Sequence, residues 1–236
     1  MTATSVSELK LIAGGSLAGL FREHGPLFEK ASGSGLSIHF DATPNIISRI
    51  NSGTPFNAVV VPIDVFKDSA AKERLTKQTE VARVGYGVIV RAGAAKPDLS
   101  TADAFKKTLL AASSVASVPA SAAGAYVTKV YERLGIADEM KAKTKVEALP
   151  TAIAPVVARG EAELGVFLAN VFNAPGIELA GPFPADLQQE LVFAAAIARD
   201  AEATGAANAL LDFLKTPPAV AAIKAAGMTP SSHHTD

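Results

Sequence analysis

The chain has 236 residues, 49% of them apolar, a formal net charge of −1 and no cysteine. That is enough apolar material for one large or two small cores, and too little clustered basic charge for a nucleic-acid stripe. The missing cysteine removes disulfides, thiol nucleophiles and thiolate metal sites.

The N-terminal Met1-Thr2-Ala3-Thr4-Ser5-Val6-Ser7-Glu8 has no basic start and no apolar core of a leader. The expectation is therefore a cytoplasmic chain as written, or a periplasmic one whose leader was removed. No apolar run approaches the ~20 residues that cross a bilayer, so membrane insertion is not expected. The end, Ser231-Ser232-His233-His234-Thr235-Asp236, reads as a solvated tail with no metal role for its histidines.

In chain order, strand-length apolar runs alternate with helical patterns, the sign of parallel βαβ units. Strands are expected at Leu9–Ala13, Leu36–Asp41 and Ala58–Val61, with a helix from Ser16 to about Ser32 that Gly25-Pro26 would kink. Phe40-Asp41-Ala42-Thr43-Pro44 ends one strand and opens a short helix that closes at Gly53, with Thr43 expected as N-cap and Pro44 at the first helical position. A long apolar segment, Val81–Val90, is followed by the turn-rich Arg91–Asp98. Next come a helix at Thr101–Ala112, a strand at Ser114–Val118, a helix at Ala122–Leu134 and a strand near Lys145–Ala148. Thr151–Arg159 reads as helix, Glu163–Leu168 and Ile177–Ala180 as strands, and Gly181-Pro182-Phe183-Pro184 as a break. Leu191–Ala198 is a second long apolar strand, and helices at Ala201–Lys215 and Pro218–Ala226 close the pattern.

Helices that start at the carboxyl ends of parallel strands aim unpaired N–H groups into the crevice where open α/β sheets take ligands. Four places share that grammar: Gly14-Gly15-Ser16, Ala42-Thr43-Pro44, Pro119-Ala120-Ser121-Ala122 and Pro150-Thr151. Ser16 either caps its helix or also donates to a ligand. Thr43 has the stronger claim to a ligand, and Asn45 could add an amide donor. Ser121, Ala122 and Ala123 are small enough to let N–H groups reach a ligand, and Thr151 is the fourth candidate.

Ser37, His39 and Asp41 alternate along one strand and share a face. Asp41 could orient a ligand hydroxyl, act as a general base or cap a turn; His39 is a packed strand residue or a proton carrier. Arg83 flanks the first long apolar segment and is the arginine placed to clamp a carboxylate. No metal motif, P-loop or dinucleotide fingerprint occurs, so neither metal nor cofactor is expected. No nucleophile elbow serves His24 or His39, which sets hydrolase chemistry aside.

Several ordered segments carry a resemblance: Gly14-Gly15-Ser16-Leu17, Ile50-Asn51-Ser52-Gly53-Thr54-Pro55-Phe56-Asn57-Ala58-Val59-Val60, Gly124-Ala125-Tyr126, Tyr131-Glu132-Arg133-Leu134-Gly135 and Gly160-Glu161-Ala162-Glu163-Leu164-Gly165-Val166. Over nearly its whole length the chain resembles the type II periplasmic solute-binding proteins, and among them the molybdate-binding-protein-like family. The resemblance implies a two-lobed α/β fold in which each lobe is a mostly parallel sheet flanked by helices. One lobe would be residues 1–82 plus 191–236 and the other 83–190, joined by two hinge crossings, with the ligand held between them.

The resemblance further implies hydroxyl and N–H contacts at Ser16, Thr43, Ala123 and Pro150. Pro150 has no N–H to give, and Leu168 stands where some molybdate binders carry a tyrosine. A branch with a similar Phe-Asp-x-x start to the second helix includes an enzyme that interconverts trans- and cis-aconitate, and Asp41 stands at that position. Two functions follow as expectations. One is a binder of a small oxyanion or di- or tricarboxylate that hands its closed form to an ABC permease. The other is an isomerase of an unsaturated polycarboxylate, with Asp41 and His39 moving the proton.

Overall fold

The computed structural model describes residues 8–232. The leader-like question at residues 1–7 and the tail histidines His233 and His234 lie outside the described residues.

β1 (Glu8–Gly14) passes through a 3-10 turn, Gly15–Leu17, into α1 (Ala18–Ser32). β2 (Gly35–Asp41), α2 (Thr43–Asn51) and β3 (Ala58–Pro62) follow, then a 3-10 turn at Ile63–Lys67, α3 (Ser69–Glu73) and the long β4 (Leu75–Arg91). Next come α4 (Ala102–Ala111), β5 (Val115–Ser117), α5 (Ala122–Arg133), α6 (Ala137–Lys143), β6 (Thr144–Val146) and, after a 3-10 turn at Pro150–Ala152, α7 (Ile153–Ala158). β7 (Leu164–Leu168), a 3-10 turn at Ala169–Phe172, β8 (Ile177–Pro182), β9 (Glu190–Ala198), α8 (Thr204–Phe213), α9 (Pro217–Ala225) and β10 (Thr229–Pro230) complete the chain.

Two compact units emerge. The first runs up to Arg83 and resumes at Val192; the second is Val84–Leu191. β4 and β9 therefore each carry the chain from one unit to the other.

In the first unit β1 pairs in parallel with β2 on one side, from Glu8↔Gly35 to Gly14↔Asp41, and with β3 on the other. β9 runs antiparallel to β3, from Ala58↔Ile197 to Pro62↔Phe193, and β10 adds an antiparallel bridge to β4. β3 is buried at all its positions because both faces are covered, whereas β2, at the sheet edge, is half-buried or exposed throughout. Ile46 and Ile50, one turn apart on α2, pack with Ile12, Val59, Val61 and Phe66 on one side of the sheet. The apolar stripe of α1 holds Phe28 edge-on against Phe213 of α8, with ring centroids 5.7 Å apart.

In the second unit β5 is parallel to both β6 and β7, while β7 and β8 run antiparallel to the distal half of β4. Its core is aromatic: Tyr86 touches Tyr126 and Phe183, and Phe183 touches Phe105, at centroid distances of 4.9, 5.5 and 4.9 Å. Gly165 is a packing requirement, since a Cβ there would stand 2.5 Å from Ile89 Cγ1 and 2.8 Å from Ile153 Cγ2.

Some local expectations need correction. Pro26 sits inside α1, which continues on both sides of it. Its exposed position leaves the carbonyl it cannot serve to water. Gly181-Pro182 does not break the pattern but completes β8, where a proline without an N–H is tolerated as the last residue. α3, α6 and β10 are short elements with no amphipathic run of their own length to announce them.

Candidate functional site

The parallel register of the first unit sets Gly14, the last residue of β1, opposite Asp41, the last residue of β2. The chain then leaves β1 through Gly15-Ser16 and leaves β2 through Ala42-Thr43, so the two strand-to-helix turns emerge side by side at one sheet edge. Ser16 and Thr43 are both buried there. Gly14 cannot easily carry a side chain, because a Cβ would lie 3.2 Å from Pro62 Cδ and 3.3 Å from Phe193 Cε1.

The caps differ from expectation. Ala42, with extended backbone, is the N-cap of α2, and Thr43 is the first helical residue with Pro44 directly after it. The cap positions there are Gly14, before the first 3-10 turn, and Leu17, before α1, and neither uses a side chain to hold the helix start. Asp41 stands directly before the cap of α2. Its Oδ1 accepts from the Ala42 N–H at 2.8 Å and from Asn45 Nδ2 at 2.8 Å, closing the helix entrance from the strand side. Asn45 is thereby tied to Asp41.

The other carboxylate oxygen, Oδ2, lies 3.3 Å from His39 Nε2. Successive same-face residues of a strand are natural neighbours, and the histidine here is aimed along β2 toward its carboxyl end. Asp41, His39 and Asn45 thus form one connected polar cluster, with the Asp41 side chain 22% and the His39 side chain 40% exposed. A carboxylate with an imidazole on one oxygen and two N–H donors on the other is equipped to hold, accept or pass on a proton.

In the second unit β5 and β6 end together, with Ser117 opposite Val146, and lead to the turns that carry Ser121 and Thr151. Ser121 is the N-cap of α5: its Oγ accepts from the Gly124 N–H at 2.9 Å and donates to the Val118 carbonyl at 2.8 Å. The hydroxyl hydrogen is spent on that carbonyl. Ala122 and Ala123 open the helix beside it, and Ala123 is buried. Gly124 must be glycine, because a Cβ would meet the Val118 carbonyl oxygen at 1.8 Å. Thr151 lies in the 3-10 turn before α7 and is exposed, with Pro150 buried beneath it.

Arg83 is not a free clamp. Its Nε and Nη2 donate to the two oxygens of Glu80 at 2.7 and 3.2 Å, and Ser231 Oγ donates to the same carboxylate at 2.9 Å. The bidentate fork that would take a ligand carboxylate is occupied within the first unit. No group of three or more metal-ligating side chains occurs among the described residues.

One further residue was invisible in the sequence. The side chain of Gln188 accepts from the Tyr86 N–H at 2.8 Å and donates to the Tyr86 carbonyl at 2.9 Å, as a neighbouring strand would. A lone glutamine in a polar run carries no periodic signal for such a role.

Comparison with known proteins places these features. The family described as bacterial extracellular solute-binding protein matches residues 9–229. The chain is 33% identical over 241 residues to an aconitate isomerase of a Pseudomonas species, covering 98% of this chain and 90% of that protein. It is 27% identical to the molybdate-binding protein ModA of Azotobacter vinelandii, covering 95% and 91% respectively. Among solved structures, the periplasmic molybdate-binding protein of A. vinelandii superposes with a TM-score of 0.78 at 20% identity, over 95% of this chain and all of that one. The sulfate-binding protein SubI of Mycobacterium tuberculosis gives 0.76 at 14% identity, over 96% and 88%. With two α/β units, each a sheet with parallel βαβ cores, and a family match that spans nearly all its elements, the chain belongs to the bacterial extracellular solute-binding proteins.

Proposed function

We propose that this protein binds a small organic polycarboxylate at the carboxyl edge of its first unit, on the helix starts that carry Ser16 and Thr43. The observation that supports the reading is the register Gly14↔Asp41, which brings the turns that carry Ser16 and Thr43 out beside one another at the strand ends. Helix N-termini favour anions. The Asp41 carboxylate at the same spot repels a compact, fully deprotonated oxyanion, but tolerates a ligand whose carboxylates are spaced along carbon and whose hydroxyl or C–H faces the aspartate. In the binding role the loaded protein would be delivered to an ABC permease, with the small anion as its cargo.

A second reading has an observation of its own. Asp41 is hydrogen-bonded to Asn45 and stands 3.3 Å from the His39 imidazole, and the relative that is an aconitate isomerase matches at 33% over nearly the whole chain. Under this reading the ligand is an unsaturated di- or tricarboxylic acid. Asp41 removes a proton from the carbon next to the double bond, the electron pair shifts along the allylic system toward a carboxylate held at a helix start, and the proton returns at the far carbon. Nothing is gained or lost, so the product is an isomer.

A thermal-shift screen over molybdate, tungstate, sulfate, phosphate and a panel of di- and tricarboxylates, with NMR analysis of every stabilising acid, tests both readings. A ligand at about a hundred times its Kd adds ~2.7 kcal/mol. For a protein this size that is a rise of roughly 5–10 °C. Stabilisation by a polycarboxylate without conversion supports the binder, and conversion to an isomer supports the enzyme. Stabilisation by the inorganic oxyanions alone overturns the choice of ligand.

A further inference from the structure

The two oxygens of Asp41 have unlike surroundings. Oδ1 accepts from the Ala42 N–H and from Asn45 Nδ2, each at 2.8 Å, whereas Oδ2 is turned to His39 Nε2 at 3.3 Å. A carboxylate torsion is broad and roughly two-fold, so an aspartate held by one backbone N–H can exchange its oxygens by rotation. The second donor, four residues on in the first turn of α2, makes that exchange costly.

As a helix clasp the Asn45 bond is an indirect choice. Asp68 and Ser121, the caps of α3 and α5, each accept from a backbone N–H three residues on, at Ala71 and Gly124. Asp41 instead stands outside the cap of α2 and takes a side chain, which satisfies no backbone group of the helix start. The pair is exposed, and exposed side-chain pairs add little to a helix. What the bond does fix is which oxygen of Asp41 stays uncommitted, at the strand end beside the turns of Ser16 and Thr43.

We propose that Asn45 is a positioning residue for the allylic proton transfer: by holding Oδ1 it leaves Oδ2 as the oxygen that takes the ligand's proton. The inference rests on the isomerase reading. The C–H bond next to the double bond breaks as an O–H bond forms at Oδ2, and the electron pair enters the allylic system. The same proton then leaves Oδ2 for the far carbon, which restores the carboxylate. An oxygen that already accepts two N–H bonds is the less basic of the pair, so both transfers use Oδ2. Loss of the Asn45 donor makes the carboxylate a stronger base but a loose one, and a misplacement of ~1 Å costs about 10²-fold in rate.

Asn45 is exposed, so its variants are expected to fold. With trans-aconitate as the probe, single-turnover NMR on the full chain reads the rate, and ligand-induced stabilisation reads Kd. Asn45→Ala should lower the rate by about tenfold or more. Its Kd should stay within about twofold of the parent, the sign of an interaction that serves the reaction and not the binding. Asn45→Gln, which keeps the amide N–H on a longer arm, should recover part of the rate. Asn45→Asp, which sets a second carboxylate against Oδ1, should fall below the alanine variant. The proposal is overturned if Asn45→Ala turns over like the parent. It is equally overturned if Kd weakens as much as the rate, which would make the amide a direct ligand contact, or if the lost rate tracks a fall in the Tm of the unliganded protein, which would make it a structural clasp. These three results leave the isomerase reading standing; a parent that leaves trans-aconitate unchanged overturns that reading and this inference with it.

Discussion

Gly14 and Asp41 stand opposite one another as the last pair of the β1–β2 ladder. One carries no side chain because Pro62 and Phe193 crowd it; the other carries the carboxylate that closes the entrance to α2. The pairing turns two separate strand-to-helix turns into a single edge, and it is the reason that Asp41 is the residue to change first.

Asp41→Asn removes the charge while keeping an acceptor for the Ala42 N–H. If the protein is an isomerase, turnover should fall by several orders of magnitude while ligand-induced stabilisation stays within about twofold in Kd, since a lost general base alone is worth ~10²–10⁴. Single-turnover NMR with the hit from the ligand screen reads both quantities. Full activity in this variant excludes Asp41 as the base.

Gly124→Ala asks for a Cβ 1.8 Å from the Val118 carbonyl oxygen, a backbone atom that cannot swing aside. Overpacking against backbone costs ~3 kcal/mol or more. Denaturant midpoints should fall accordingly, with the m-value unchanged; a variant as stable as the parent would show that α5 can shift freely over β5.

Tyr131 presents the opposite case. Its hydroxyl is buried without a partner, and burial pushes its ionisation far above the usual phenol range. Tyr131→Phe deletes a group whose desolvation is unrewarded, so stability should hold or rise by about 1 kcal/mol. A clear loss in a urea melt would reveal a bond that the hydroxyl makes.

Gln188→Ala removes the side-chain acceptor of the Tyr86 N–H and one of two donors to the Tyr86 carbonyl, which keeps the Phe183 N–H at 3.1 Å. Losing these two bonds costs ~1–3 kcal/mol, while Gln188→Glu restores the acceptor alone and should recover part of that loss. Amide exchange at Tyr86, fast in the alanine variant and slower in the glutamate one, separates this role from mere packing.

Glu161 lies between Arg159 and Lys145, and the hydrogen bond from Arg159, then that from Lys145 at 2.6 Å, hold its carboxyl down to about 2 from an ordinary 4.5. Because the folded value is the lower one, the contribution is complete above pH ~4.5 and is lost as pH falls through ~2. The pair is exposed, so the effect is small and screened by salt. Urea midpoints followed from pH 5 to 2 should fall slightly less steeply in Glu161→Gln than in the parent; identical slopes would remove the ion pair from the acid limb.

Periodicity, punctuation and composition determined by themselves the alternation of strand and helix, the burial of β3 and β9, and the turns at which Ser16, Thr43 and Ser121 stand. Those features are local: hydrophobic runs of strand length, an amphipathic stripe and the residues that open helices are written within a few positions of where they act. Tertiary structure decided what those residues do with their polar atoms. Ser121 gives its hydrogen to Val118, Arg83 gives its fork to Glu80, and Asp41 rather than Thr43 closes the entrance to α2, because each outcome depends on which acceptor the fold brings within about 3 Å. Gln188 stayed silent in the sequence for the same reason. A hydrogen bond spanning 102 residues, such as that from Tyr86 to Gln188, has no period to detect and exists only once the sheet is assembled.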